Sequence, residues 1–185
     1  RIDTLINNAG ITMHSRFDEI KEISFVEKIM QVNFLGSVYP TFYALPYLKE
    51  SRGRIVGISS LTGKNGVPTR SAYAASKHAQ AGFFDSLRIE LAETGVSVSM
   101  IYPGFVATEI RQRAFGPDGQ HVGQSHIREK NVMSAERCAS IIVKAAAKRK
   151  REVVMTAKAK VAQWLKLISP KLVDNFASKI IKVGK

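Results

Sequence analysis

A single cysteine, Cys138, stands in the 185 residues, so no internal disulfide can form and a reducing compartment suits the chain. Such a lone thiol reads as a small buried apolar residue. No apolar run reaches the roughly eighteen residues a spanning helix needs, so no spanning helix is expected within this sequence. Acid is scarce, with 15 Asp and Glu against 28 Lys and Arg and a net charge of +13. Nothing among those bases forms a nucleic-acid-binding motif, so no nucleic-acid partner is expected. His121 and His126 have no further His or Cys cluster beside them and read as loop histidines, not a metal site.

The excess base is concentrated at the end. Residues 134–185 hold thirteen Lys and Arg against three acids, whereas residues 1–133 are nearly balanced. A basic tail favours an anionic partner. Within it Val161, Trp164, Leu165 and Ile168 form one apolar stripe; Leu172, Val173, Phe176 and Ile180 form a second. Ser169-Pro170 fits the start of that second helix. Basic amphipathic helices of this kind lie in an anionic membrane surface, or fold over a substrate cleft or a subunit interface.

Ahead of the tail the chain alternates strand and helix patterns. Thr4–Asn7, Arg54–Ser60, Val96–Tyr102 and Val153–Thr156 read as strands. Segments from Ser24 to Leu48, Ser71 to Glu93 and Ser134 to Lys148 carry helical spacing. Ser24 is placed as an N-cap and Pro46 as the kink or end of its helix. Strands separated by helices imply a parallel α/β sheet, which binds ligands beyond the carboxyl ends of its strands, where Asn8, Ser60 and Pro103 fall. Residues 111–131 are polar, glycine-rich and weakly periodic, and read as a substrate lid.

The chemistry centres on Ser60 to Lys77. Tyr73 and Lys77 stand four apart in an Ala-rich segment and share one helix face. A free tyrosine, with a pKa of about 10, holds its proton too tightly for base work near neutrality. A neighbouring cation favours the phenolate. Ser60 lies thirteen residues before Tyr73, at the tip of a strand, where its hydroxyl could donate to a substrate carbonyl; the adjacent Ser59 is the alternative. Asn33 sits mid-helix, where asparagine is a poor helix former.

Asn7-Asn8-Ala9-Gly10, Asn33 in Val-Asn-Phe-Leu-Gly, the Ser60, Tyr73 and Lys77 set, and Pro103-Gly104 with Thr108 together resemble the short-chain dehydrogenase/reductases. The run Ser71-Ala-Tyr-Ala-Ala-Ser-Lys-His-Ala resembles the hydroxysteroid-dehydrogenase-like and dehydrogenase/reductase member 7 branches. The resemblance implies a Rossmann-type doubly wound parallel sheet, here from about its fourth strand onward, over residues 1–156, with a basic amphipathic tail over 157–185. It implies NADP or NAD as cofactor, with NADP preferred, held by Asn8, Ala9, Gly10, Pro103, Gly104, the backbone of Val106 and Thr108, and by Tyr73 and Lys77 at the nicotinamide ribose. Asn33 would interrupt its helix and hold a relay water for Lys77. The implied reaction is interconversion of a carbonyl and an alcohol on an apolar steroid, lipid, retinoid or xenobiotic substrate. A homodimer or homotetramer, built on the helices flanking Ser60, and a cytoplasmic location, peripheral on a membrane through the tail, are further expectations.

The family's Gly-rich Thr-Gly-x-x-x-Gly-x-Gly turn has no counterpart, and the sequence begins at Arg1. The expectation is therefore a C-terminal piece of a longer enzyme, inactive by itself. The alternative is a truncated, non-catalytic interaction or membrane-associated module.

Overall fold

The structure, a computed structural model, describes residues 1–124 and 132–182, with side chains up to Lys179. His126, the last part of the 111–131 loop and the side chain of Ile180 lie outside the described residues. Four strands, β1 (Thr4–Asn7), β2 (Arg54–Ile58), β3 (Ser97–Tyr102) and β4 (Glu152–Val154), pair side by side in chain order, all parallel. Each pair is joined through helix: α1 (Ser24–Met30) and α2 (Gly36–Glu50), then α3 (Ser71–Glu90), then α4 (Ala135–Ala147). α5 (Ala157–Ile168) and α6 (Pro170–Lys182) follow β4 as a hairpin. This is the expected parallel α/β architecture.

Burial on both faces explains why β2 and β3 read as continuous apolar runs. On one face Ile55, Val98 and Met100 meet Leu48 of α2 and Phe84 and Leu87 of α3. On the other, Val56, Ile58 and Ile101 meet Ala145 and Ala146 of α4. Gly57 is the thin point between them. A β-carbon there would come within 2.6 Å of the Met100 sulfur and 2.9 Å of the Phe84 ring, so only glycine lets α3 seat this close. β1 pairs with β2 alone among the described residues, and Ile6 on it is exposed.

Three local expectations change. Ser24 is the first helical residue rather than the cap; Ile23 occupies the cap position, and the Ser24 N–H is taken by the Glu22 carboxylate at 2.8 Å. Pro46 does not end its helix: α2 runs through both Pro40 and Pro46 to Glu50. Each proline removes the donor for the carbonyl four residues back, Gly36 and Phe42. All four residues are exposed, so water takes the freed carbonyls. α3 stops at Glu90, and residues 91–95 turn through Gly95 at a φ of +78°, a left-handed conformation suited to glycine.

The 111–124 segment is not a loose flap. Phe115 bridges Met13 in parallel and His121 antiparallel, and it exchanges backbone hydrogen bonds with Thr12 (3.0 Å) and His14 (2.8 Å). Its ring stacks on Phe25 at 5.6 Å and on His121 at 5.0 Å. In the tail Ala159 and Val173 are buried, while Val161, Trp164, Leu167, Ile168 and Phe176 face outward. No helix among the described residues is long and apolar enough to cross a membrane.

Candidate active site

The carboxyl ends of β1, β2 and β3 open onto one cleft of about 560 Å³, within the usual range for small-molecule sites. Asn8, Ala9 and Gly10 line it after β1, Ser59 and Ser60 after β2, and Pro103, Gly104, Val106 and Thr108 after β3. α3 contributes Tyr73 and Lys77 from the side. Every residue expected at the site from the sequence reaches this cleft except Asn33, which lies directly behind it.

Asn33 is fully buried at the centre of a π-helical turn, Gln31–Leu35, which joins α1 to α2. Such single-turn π segments are common at functional sites. Its Oδ1 accepts from the Ile11 N–H at 2.8 Å, and Nδ2 donates to the Ile11 carbonyl and to the Ser76 Oγ, both at 2.9 Å. Both amide hydrogens are thus used within the protein. The Asn33 side chain fixes the turn after β1 against α3.

The two adjacent serines part company. Ser59 is buried and donates to the carbonyl of Lys77 at 3.2 Å, so it serves the packing of α3. Ser60 is partly buried in the cleft; its Oγ takes the Thr62 N–H at 3.2 Å and caps a short 3-10 turn at Leu61–Gly63. Its hydroxyl donates to the Thr62 Oγ1 at 3.2 Å, and it lies close enough to the Tyr73 phenol to lower its pKa.

Tyr73 is buried among Met13, Phe25, Ile29, Ala72 and Phe115. Burial pushes its phenol up, while the Ser60 hydroxyl and the charge of Arg70 pull it back down. Lys77 is buried too, and burial alone brings its ammonium down to about 8. Nζ donates to the Ile58 carbonyl at 2.8 Å and stands 5.9 Å from the centre of the Tyr73 ring. The phenol stays above its ordinary value because burial outweighs both offsets, and with a serine hydroxyl and a lysine of reduced basicity in the same cleft it can give a proton to a carbonyl oxygen.

The turns after β1 and β3 form the far side of the cleft. A β-carbon on Gly10 would stand 3.5 Å from Lys77 Nζ, so the ammonium faces the bare turn after β1. The Val106–Met133 bridge uses the Phe105 carbonyl and the Ala107 N–H, which leaves the peptide groups of Val106 turned the other way. Arg111 reaches the Val106 carbonyl at 3.4 Å.

Arg70, Arg111 and Cys138 also line the cleft, and nothing in the sequence pattern had marked the first two. Cys138 is buried with its sulfur 3.7 Å from that of Met155, and burial pushes its thiol up, which makes it a wall and not a nucleophile.

Residues 1–118 match the family model described as short chain dehydrogenase. The chain is 36% identical over 179 residues to 11-beta-hydroxysteroid dehydrogenase A of Sesamum indicum, covering 94% of this chain and 51% of that protein. It is 40% identical over 157 residues to dehydrogenase/reductase SDR family member 7B of Rattus norvegicus, covering 84% and 48%. The chain thus spans about half the length of the curated relatives it matches. A solved short chain dehydrogenase of Burkholderia cenocepacia, in complex with NADP, superposes with a TM-score of 0.80 at 22% identity, over 95% of this chain and 68% of that one. That likeness is one of fold.

Proposed function

The chain belongs to the short-chain dehydrogenase family, and from that premise we propose that it carries the catalytic site of an NAD(P)-dependent oxidoreductase that interconverts a carbonyl and an alcohol. The observation that carries the reading is the buried Tyr73, with Lys77 Nζ 5.9 Å from its ring centre and Ser60 lining the same cleft. A bound nicotinamide supplies the hydride in reduction and receives it in oxidation. Tyr73 gives its proton to the carbonyl oxygen as that carbon is reduced, and takes the proton back when the alcohol is oxidised. Ser60 donates to the same oxygen and stabilises the charge that develops there. Lys77 holds the ribose of the nucleotide and supports the phenolate. Asn33 keeps the turn after β1 and α3 in register, with a relay water for Lys77 as its further role. Asn8, Ala9, Gly10, Pro103, Gly104, Val106 and Thr108 hold the cofactor, for which NADP is chosen over NAD as the form in the similar solved dehydrogenase.

Leu61, Val67, Phe105, Ile110 and Ile142 add an apolar stretch of wall, which suits a steroid-, lipid-, retinoid- or xenobiotic-type carbonyl. Tyr39, Phe42, Tyr43 and Tyr47 form an exposed aromatic face on α2. A second copy of the chain is the proposed partner there, as the family resemblance implies for this helix. Residues 1–156 are assigned to the catalytic unit and 157–185 to a tail that rests on an anionic lipid surface.

Tyr73→Phe in the full protein tests the assignment. Turnover of a model ketone should fall by about 10²–10⁴, the usual share of a positioned acid-base group, while NADPH binding by fluorescence titration stays intact. Substantial residual turnover would mean that another group handles the proton.

A further inference from the structure

Resting on the role of Ser60 as the hydroxyl that polarises the substrate carbonyl, we propose that Lys64 is a positioning residue of the active site. It clasps the turn that carries Ser60 onto β3 and β4, and so fixes where that hydroxyl stands. Ser60 opens the 3-10 turn Leu61–Gly63, and Lys64 closes it. Ser60 Oγ accepts the Thr62 N–H at 3.2 Å, and the Ser60 carbonyl accepts the Gly63 N–H at 2.9 Å. The Leu61 carbonyl accepts the Lys64 N–H at 3.1 Å. With those bonds made the turn moves as one piece, and a displacement at Lys64 is felt at Ser60. Its start is tied to the loop after β3, where the Leu61 N–H donates to the Pro103 carbonyl at 3.1 Å. Its end is held by Lys64.

Lys64 Nζ pairs with the Glu152 carboxylate on β4 at 2.8 Å and lies 4.3 Å from the centre of the Tyr102 ring on β3. Glu152 and Tyr102 share a face of the sheet, because Met100 is the register partner of Glu152 and Tyr102 follows two residues later. One ammonium thus spans both strands, as an ion pair and as a cation over an aromatic face. The side chains of the pair are only 23% and 36% exposed, and Tyr102 beneath them is buried, so the clasp is more than a surface contact. From the other side the Lys64 carbonyl accepts Lys166 Nζ of α5 at 2.7 Å. The turn has little room to lift. A β-carbon on Gly63 would stand 3.0 Å from the Lys77 carbonyl, so the turn lies flat on α3 where Tyr73 and Lys77 enter the cleft. A shift of the turn changes the spacing of Ser60 and Tyr73, which must meet on one carbonyl oxygen. Neither Lys64 nor Glu152 lines the cleft, so the clasp acts through Ser60 and not on substrate or nucleotide.

The test is the single-turnover rate of ketone reduction by NADPH in the full protein, with NADPH affinity measured beside it by fluorescence titration. Lys64→Met keeps a chain of similar length over Tyr102 but drops the charge. It should slow the step about tenfold, less than the roughly hundredfold that a 1 Å misplacement can cost. Glu152→Gln opens the same clasp from β4 and should slow the step to a similar degree, with the double variant no slower than either. Lys64→Arg keeps the pair and should stay within about twofold of the parent, and NADPH affinity should hold within about twofold throughout. The decisive comparison is made in Ser60→Ala, where Lys64→Met or Glu152→Gln should slow the step no further. A general loosening of the fold would instead subtract from both backgrounds alike. Parent-like rates in Lys64→Met and Glu152→Gln, or the same tenfold loss on top of Ser60→Ala, would overturn the role of Lys64. A Ser60→Ala variant as fast as the parent overturns the Ser60 assignment instead, so the two failures are distinguishable. Glu152→Gln, at the more exposed end of the pair, carries the test if Lys64→Met does not fold.

Discussion

Asn33 grips Ile11 by both peptide groups, its Oδ1 taking the N–H at 2.8 Å and its Nδ2 giving to the carbonyl at 2.9 Å. The two residues are 22 apart in sequence. Between them they join the turn after β1, which faces the cleft, to the π turn between α1 and α2. A side-chain amide is the one neutral group that can mimic a strand partner in this way, offering a donor and an acceptor at the right separation.

Asn33→Ala should therefore act on stability and on the site together. It strands the partly buried Ile11 N–H and carbonyl and takes a donor from the Ser76 hydroxyl, which keeps its bond to the Tyr73 carbonyl. With about 1–3 kcal/mol for each buried unsatisfied group, partly relieved by relaxation, a loss of roughly 2–4 kcal/mol is expected. Urea unfolding should show a lower midpoint with an unchanged slope. Asn33→Asp should not rescue it, because a carboxylate cannot donate to the Ile11 carbonyl.

Ser59 and Ser60 give a sharper contrast. Ser60→Ala should lower kcat by about 10²–10³, the range for losing one oxyanion donor, and also cost about 1 kcal/mol of stability as the cap of the Leu61–Gly63 turn is lost. Ser59→Ala removes the buried bond to the Lys77 carbonyl and should cost roughly 1 kcal/mol of stability, with kcat changed far less. Steady-state kinetics beside thermal unfolding of the two variants checks this. The opposite pattern would give the substrate-polarising role to Ser59.

The Tyr73, Lys77 and Ser60 set was readable because its signals are local, fixed by helix periodicity and a strand end. The interruption at Asn33 came from the family resemblance, since a mid-helix asparagine alone fits a solvent-facing position equally well. Arg70 was not, although it stands three residues before Tyr73. What turns its guanidinium into the cleft is Thr12, 58 residues away, and a contact of that range leaves no trace in a window of sequence. The 111–124 segment looked like a free lid because its anchor, the Phe115 bridge to Met13, is equally distant. Pro46 read as a stop because its tolerance depends on the exposure of the carbonyl it frees, which is a property of the fold.

Lys77 makes stability depend on pH in a definite direction. Its folded pKa, about 8, lies below its ordinary value of 10.5, so between those limits the unfolded chain binds more protons. Stability from this group is lowest below pH 8 and rises as the pH climbs toward 10.5, by up to roughly 3 kcal/mol. Lys77→Met should be more stable than the parent near neutrality and lose that advantage by pH 10.5, while abolishing turnover. Denaturant midpoints at four or five pH values would show the two curves converging; parallel curves would contradict a buried, weakened ammonium.

The tail offers the last prediction. Trp164 and Ile168 on α5 are 73% and 83% exposed, and Leu172 and Phe176 on α6 extend the same outward apolar surface. Lys158, Lys160, Lys171 and Lys179 flank it, with Asp174 as the one acid between residues 157 and 182. An apolar face rimmed by ammonium groups suits an anionic bilayer surface, where each lysine adds about 1 kcal/mol and the Trp takes the interfacial level. α5 also reaches the site, because Lys166 Nζ donates to the Lys64 carbonyl at 2.7 Å on the loop that follows Ser60. The full protein should sediment with vesicles containing phosphatidylserine and far less with phosphatidylcholine alone, and salt should release it. Trp164→Glu with Ile168→Glu should abolish sedimentation without lowering the unfolding midpoint, since neither side chain is in the core. Lys158→Gln and Lys160→Gln should each weaken binding about fivefold, the equivalent of 1 kcal/mol. Equal binding to both vesicle types, or full binding by the double glutamate variant, would leave the outward face for a protein partner instead.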